Sequence, residues 1–325
     1  MSHTSFLPTV HILYENPAWL PPLVSALEAE GFPIRLVELD QGILDPSATP
    51  EEGIWINRIS PSSHTRGHND SVGLAREVLF WLESHGRRVI NGSQAFELEV
   101  SKFRQDRLLQ KHGIRTPKTV LVVGRDQALE EAGRFDGPFI TKHNQGGKGL
   151  GIQLFRDVEG LANYLDSDSF DPGPNRQLIL QEYIRPPQSF ITRVEVAFGK
   201  FVLAMRSSTE EGFELCPSDA CQVQPKRPDV CPADGGSKFS ASPVDADDPL
   251  VASYISLCKS EGVDVAGIEF VEDAEGNRYT YDINGTTNFN QVLGREIGVD
   301  GMREIARGLR SEVLRERRLR ARVAS

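Results

Sequence analysis

The stretch Val265-Ala266-Gly267-Ile268-Glu269-Phe270-Val271-Glu272-Asp273-Ala274-Glu275-Gly276-Asn277-Arg278-Tyr279-Thr280-Tyr281-Asp282-Ile283-Asn284 decides how the rest of the chain is read. Two runs rich in β-branched and aromatic residues flank the turn-forming pair Glu275-Gly276, which predicts a hairpin from Val265 to Ile283. With that pair at the centre of the turn, opposed positions sum to 551, so Glu269 meets Asp282, Ile268 meets Ile283 and Phe270 meets Tyr281. Asn284 lies two residues past Asp282 and shares its face. Carboxylates opposed across about 5 Å repel. A divalent cation reverses that sign, and Glu, Asp and Asn oxygens are the hard ligands Mg²⁺ accepts. Glu269, Asp282 and Asn284 are therefore candidate metal ligands, whereas a register one residue off would turn both acids into solvent.

Further upstream, Pro138 to His143 reads as a strand running into Asn144-Gln145-Gly146-Gly147-Lys148-Gly149-Leu150-Gly151. Four glycines in six residues exclude a strand interior and predict a loop between two strands. The backbone N–H groups of Gly146, Gly147 and Gly149 can approach a polyphosphate closely, with Lys148 and the preceding Lys142 adding charge. No GxxxxGK[ST] is present and a strand follows, so the loop is not a P-loop; it reads as a lid over a nucleotide or as a flexible connection between strands.

The remaining chain falls into three blocks. From Val10 to Phe96, strand-like Val10 to Tyr14, a helix from Leu20 to Glu30 ended by Gly31, a strand from Ile34 to Leu39, a helix from Val72 to His85 ended by Gly86, and Arg88-Val89-Ile90 alternate as in a parallel α/β layer. The second block opens with one helix from Glu97 to His112, followed by strands Thr119 to Val123, Pro138 to His143 and Leu178 to Ile184. The third holds Ile191 to Phe198 and Phe201 to Met205 hinged at Gly199-Lys200, a long loop from Gln224 to Pro249, a helix from Leu250 to Ser260 and the hairpin.

Composition sets the outer bounds. A chain of 325 residues has ample core for two or three domains. Its longest apolar runs, Val78 to Leu82 and Phe201 to Met205, fall far short of the roughly 20 residues of a membrane span. The first Lys or Arg is Arg35, which does not suit a secretory leader and leads us to expect a cytoplasmic protein. Cys216, Cys221, Cys231 and Cys258 match neither a redox pair nor a zinc ribbon and are read as reduced thiols. A net charge of −10 disfavours nucleic acid, and the arginines from Arg315 to Arg322 read as the solvated face of a last helix. The turn carrying Arg58, Ser60, Ser62, Ser63, His64, Arg66 and His68 suits an anionic substrate, the alternative being an ordinary polar loop.

The run Ser101-Lys102-Phe103-Arg104, Leu108-Leu109, Gly113-Ile114 and Pro117 resembles the opening of the ATP-grasp nucleotide domain. Phe139-Ile140-Thr141-Lys142 with its glycine loop, Leu180-Gln181-Glu182-Tyr183-Ile184, Thr192-Arg193, and Ala266-Gly267-Ile268-Glu269 with Tyr281-Asp282-Ile283-Asn284 follow in that family's order. The RimK-like branch, which joins glutamate to a protein or peptide carboxyl end, is the nearest match. Asn57-Arg58-Ile59-Ser60 and Val89-Ile90-Asn91 resemble its N-terminal domain, so the likeness covers roughly the whole chain.

The resemblance implies an α/β (α+β) ATP-grasp fold: a Rossmann-like parallel-sheet domain over residues 1–96, and two α+β domains, 97–184 and 185–325, that sandwich the nucleotide. It implies an ATP- and Mg²⁺-dependent (or Mn²⁺-dependent), ADP-forming ligase that joins a carboxylate to an amine through an acylphosphate, on an amino acid, peptide or protein tail. A small-molecule kinase on the same fold and a non-catalytic nucleotide-binding protein are the alternatives, and homo-oligomerisation stays open. Carried over position by position, Lys102 and Lys142 would meet the phosphates. Gln181, Glu182, Tyr183 and Ile184 would form the adenine hinge, with Glu182 accepting from the base's amino group. Glu269, Asp282 and Asn284 would hold the metal, while Lys142, Arg193 and Arg206 would stabilise the transferring phosphoryl group. Two positions depart from the branch: Ile191 stands where an acid would meet the ribose, and Glu214-Leu215-Cys216 where an Arg-Ser-Asn run would lie beside the phosphates.

Overall fold

The computed structural model describes residues 7–147, 149, 151–209 and 238–323, with side chains as far as residue 319. Strands β1 (Val10–Tyr14), β2 (Ile34–Glu38), β3 (Ile54–Arg58) and β4 (Arg88–Ile90) form a sheet in the order β2-β1-β3-β4, and every pairing in it is parallel. Alternation buries both of its faces. Val10, Ile12, Ile54 and Ile56 pack under α1 (Pro21–Ala29) and α9 (Gly301–Val323), while Leu13, Trp55 and Val89 pack under α2 (Ser71–Ser84).

A second sheet, in the order β5-β8-β6-β7, joins β5 (Thr119–Val122), β8 (Leu178–Glu182), β6 (Phe139–His143) and β7 (Gln153–Phe155), all antiparallel. Helices α5 (Arg125–Ala132) and α6 (Val158–Leu165) cover one face of it. The third sheet runs β11-β10-β9-β12-β13, from β9 (Phe190–Ala197), β10 (Lys200–Ser208), β11 (Phe239–Ala241), β12 (Val265–Glu272) and β13 (Arg278–Asn284). Strand β11 occupies part of the segment expected to be a long loop. Residues 224–237 of that loop lie outside the described residues.

The helix expected from Glu97 to His112 is two helices, α3 (Ser93–Val100) and α4 (Lys102–Lys111). The break falls at Ser101, whose backbone is extended and whose hydroxyl accepts from the Arg104 N–H. Lys102 thereby becomes the first residue of a new helix. Leu98 and Leu109 share a core with Val194, Ile268, Tyr254 and Ile283, so α3 and α4 pack, with α7 (Pro249–Ser260), on the third sheet rather than the second.

Two departures from the expected hairpin cancel at the carboxylates. The turn spans Asp273 to Asn277, closed by the Asp273 N–H donating to Asn277 O at 3.0 Å, and so is centred on Glu275. Phe270 consequently pairs with Thr280, not Tyr281. A register shift between Glu269 and Phe270 then absorbs Tyr281 as an extra residue, and beyond it Glu269 lies across from Asp282 and Ile268 from Ile283.

Candidate functional site

The second and third sheets and the turn after β3 enclose a cleft of about 1470 Å³, open mouth included. Each side contributes the residue types a polyphosphate needs. Lys102 enters from the first position of α4 and Lys142 from β6, both buried. Gly146, Gly147 and Gly149 line the cleft from the loop after β6, and a Cβ on Gly147 would come within 3.4 Å of Ser62. Lys148 lies outside the described residues. From the third sheet come Arg193, Glu269, Asp282 and Asn284.

The acids are matched by cations. The Lys102 ammonium donates to Asp282 Oδ1. Arg193, buried on β9, donates through Nη1 to Glu269 Oε1 and through Nε to Glu195 Oε1, both at 2.7 Å. Arg193 lies so close over Gly267 that a Cβ there would sit 2.0 Å from its Nη2. The bulged Tyr281 donates its hydroxyl to Glu269 Oε2 at 3.2 Å, and Asn284 donates to Asp282 Oδ2 at 3.2 Å. Burial would raise the Asp282 carboxyl, but Lys102 and Lys142 outweigh it and hold it below its ordinary value. Burial pushes Glu269 up, with Asp282 adding to the push and Arg193 opposing it. Burial and the neighbouring Lys102 bring the Lys142 ammonium down to about 8.

This donor set suits a hard divalent ion: two opposed carboxylates and an amide on one face, with positive charge around them to receive phosphate oxygens. Among the described residues no group of three His, Cys, Asp or Glu side chains gathers to hold a metal. Water and substrate oxygens would therefore complete the sphere, as Mg²⁺ requires.

Gln181 is buried on β8, where its side chain accepts from Lys142 Nζ at 3.0 Å and donates to Thr119 Oγ1 at 2.8 Å. Glu182, Tyr183 and Ile184 line the cleft. The Glu182 side chain is exposed and accepts from the Lys118 backbone N–H at 3.2 Å. Ile191 also lines the cleft, buried, where the resemblance led to an acid.

Several expected residues are not brought to the cleft. Arg206 shares the sheet face of Ala204 and Thr192, opposite to that of Arg193, because side chains alternate along a strand. Its guanidinium sits 4.2 Å from the centre of the Phe190 ring. Arg58 is buried and bound to Thr287 O at 2.8 Å and to Asn288 Oδ1. Arg66 pairs with the buried Glu15 at 2.6 Å, donates to Ser62 Oγ at 3.2 Å and stacks 4.7 Å from the Trp19 ring. Ser63 and His64 do not line the cleft, and His68 lies 2.8 Å from Asp40. Of that turn, Ser60 and Ser62 reach the cleft. Cys258 is buried, its thiol pushed up to about 12, as befits inert packing; Cys216, Cys221 and Cys231 lie outside the described residues.

Glu99, Tyr281, Trp19 and the segment Thr286-Thr287-Asn288 also line the cleft and were not singled out from sequence. Glu195, wholly buried, accepts from Thr287 Oγ1 at 2.8 Å and so ties that segment to Arg193. The alternation along Thr192 to Val196 could have flagged Glu195 as a second inward charge; nothing local marks Glu99.

A glycine loop over a cleft between two α+β layers, facing a carboxylate pair, is the arrangement of the ATP-grasp fold, and comparison with solved structures agrees on that fold. D-cycloserine synthetase DcsG superposes with a TM-score of 0.65 at 17% identity, covering 94% of this chain and 99% of that one. The ATP-grasp ligase PsnB, solved with a minimal precursor, Mg and ADP, gives 0.63 at 16% identity over 96% of this chain and 100% of that one. Within that class, residues 100–214 match the RimK-like ATP-grasp domain. Beta-citrylglutamate synthase B of Danio rerio is 25% identical over 228 residues, 68% of this chain and 51% of that protein. The match thus spans about half the length of that curated relative. Among the described residues no helix is long and apolar enough to cross a membrane.

Proposed function

We propose that the chain is an ATP- and Mg²⁺-dependent ligase that joins a carboxylate to an amine through an acylphosphate and releases ADP. The observation that carries this reading is the convergence of Glu269, Asp282 and Asn284 with Lys102, Lys142 and Arg193 in one cleft beneath the glycine loop. PsnB, of like fold, is described with Mg and ADP, which supports the same pair of ligands here.

A carboxylate is a poor electrophile, and receiving a phosphoryl group gives it a good leaving group. Mg²⁺ held by Glu269, Asp282 and Asn284 would neutralise charge on the phosphate oxygens. Lys102, Lys142 and Arg193 stabilise the charge that develops on the transferring group, in a site whose burial makes each contact stronger. Gln181 holds Lys142 in place, and Glu182 to Ile184 receive the adenine edge. The glycine loop excludes water that would hydrolyse the acylphosphate. The hydroxyl-rich end of the cleft, Ser60, Ser62 and Thr286 to Asn288, receives the substrates, which we take to be an amino acid, peptide or protein tail and its amine partner.

The test is a nucleotide assay with ATP, Mg²⁺ and a panel of acids and amines. Release of ADP and phosphate that requires an acid and an amine together is expected. AMP with pyrophosphate, or no turnover with any pair, contradicts the proposal.

A further inference from the structure

Four described carboxylates line the cleft: Glu99, Glu182, Glu269 and Asp282. Glu269 pairs with Arg193 and Asp282 with Lys102, while the exposed Glu182 rests on a backbone N–H. Glu99, at the end of α3, is only 5% exposed and has no ion pair among the described residues. Its Oε1 accepts from the Thr286 N–H at 2.9 Å, and its Oε2 lies where a Cβ on Gly285 would come within 2.8 Å. The charged groups that face it are Lys102 from α4 and Arg58 from β3, each already bonded elsewhere; Asn91 and Thr286 are its neutral neighbours. The same cleft presents oxygens able to accept N–H, from Ser60, Ser62, Thr287 and Asn288.

We propose that Glu99 receives the incoming amine, its carboxylate binding the substrate's ammonium group and taking one proton from it. This deepens the ligase reading and rests on it. The step balances: R–NH₃⁺ gives a proton to the Glu99 carboxylate, and the free amine attacks the acylphosphate carbonyl. The C–N bond forms as the C–O bond to phosphorus breaks, and the leaving phosphate takes the second amine proton. Burial pushes the Glu99 carboxyl up to about 7, against the pull of Thr286, Lys102 and Arg58, which matches it to proton exchange near neutral pH.

Two nucleophiles separate this role from a structural one. Alanine amide is an ammonium ion at neutral pH, whereas hydroxylamine is uncharged there and has no proton to give up before attack. Wild type, Glu99→Gln and Glu99→Asp are assayed with ATP, Mg²⁺ and each nucleophile, with the protein amino acids and citrate as carboxylates. Glu99→Gln should lose amide formation by on the order of 10²-fold while keeping hydroxamate formation, and Glu99→Asp should regain part of the amide rate. Equal loss with both nucleophiles in Glu99→Gln and Glu99→Asp, or no loss with either, overturns the role of Glu99. Absence of hydroxamate from the wild type with every carboxylate overturns the ligase reading beneath it.

Discussion

Asp282 stands between two lysines, and the proposed phosphate role of Lys142 can be read through pH. The unfolded chain keeps this ammonium to its ordinary value of 10.5, whereas the folded protein releases the proton near 8. Between those values the unfolded state binds more protons, so this group makes stability rise with pH while the proposed phosphate site loses a positive charge. Apparent affinity of the wild type for ATP should therefore fall above about pH 8. Lys142→Arg should move that break upward, and Lys142→Met should bind weakly at every pH; a flat profile in the wild type would contradict the assignment. Replacing the acids tests the other charge. Glu269→Ala and Asp282→Ala should each lower turnover by on the order of 10³-fold with an unchanged circular dichroism spectrum, and normal activity in either removes the metal assignment. Sequence alone supplied both acids and both lysines. It did not supply Glu99, whose partner Thr286 lies 187 residues away along the chain.

Elements place these side chains through irregularities more than through regular repeats. The hairpin turn is centred on Glu275 rather than between Glu275 and Gly276, and the extra residue at Tyr281 restores the pairing of Glu269 with Asp282. Alternation and turn residues made the hairpin legible; a bulge has no sequence signature of its own, and this one turns Tyr281 toward Glu269. Ser101 acts likewise, ending one helix and capping the next so that Lys102 points into the cleft. Ser101→Ala should cost about 1 kcal/mol in a denaturant titration and lower the rate through Lys102. Gly267→Ala would force Arg193 away from Glu269, because the added methyl would overlap its guanidinium. Turnover should fall by on the order of 10²-fold, well beyond its effect on stability; an unaffected rate would show that Arg193 has room to move without consequence.

At the scale of the molecule, the parallel sheet of the first block was readable because its strands and helices alternate with clear stops, such as Gly31 and Gly86 at positive φ. How that layer meets the rest was not readable. Arg58, an expected substrate contact, is instead a strut from β3 to the segment after β13, and Arg88 bridges Asp264 and Glu312 at 2.6 and 2.7 Å. Burial brings the Arg58 guanidinium down to about 10, the mark of a buried structural cation. Arg58→Met should thus lower stability by about 1–3 kcal/mol in thermal melts, whereas unchanged stability with a selective rise in the KM for the carboxylate would return Arg58 to the substrate site. The central claim concerns the order of bond changes, and isotope transfer tests it most directly. A carboxylate substrate labelled with heavy oxygen, turned over with ATP and amine, should deliver one labelled oxygen to the released phosphate. Unlabelled phosphate from a reaction that still forms the amide would contradict an acylphosphate and the account built on it.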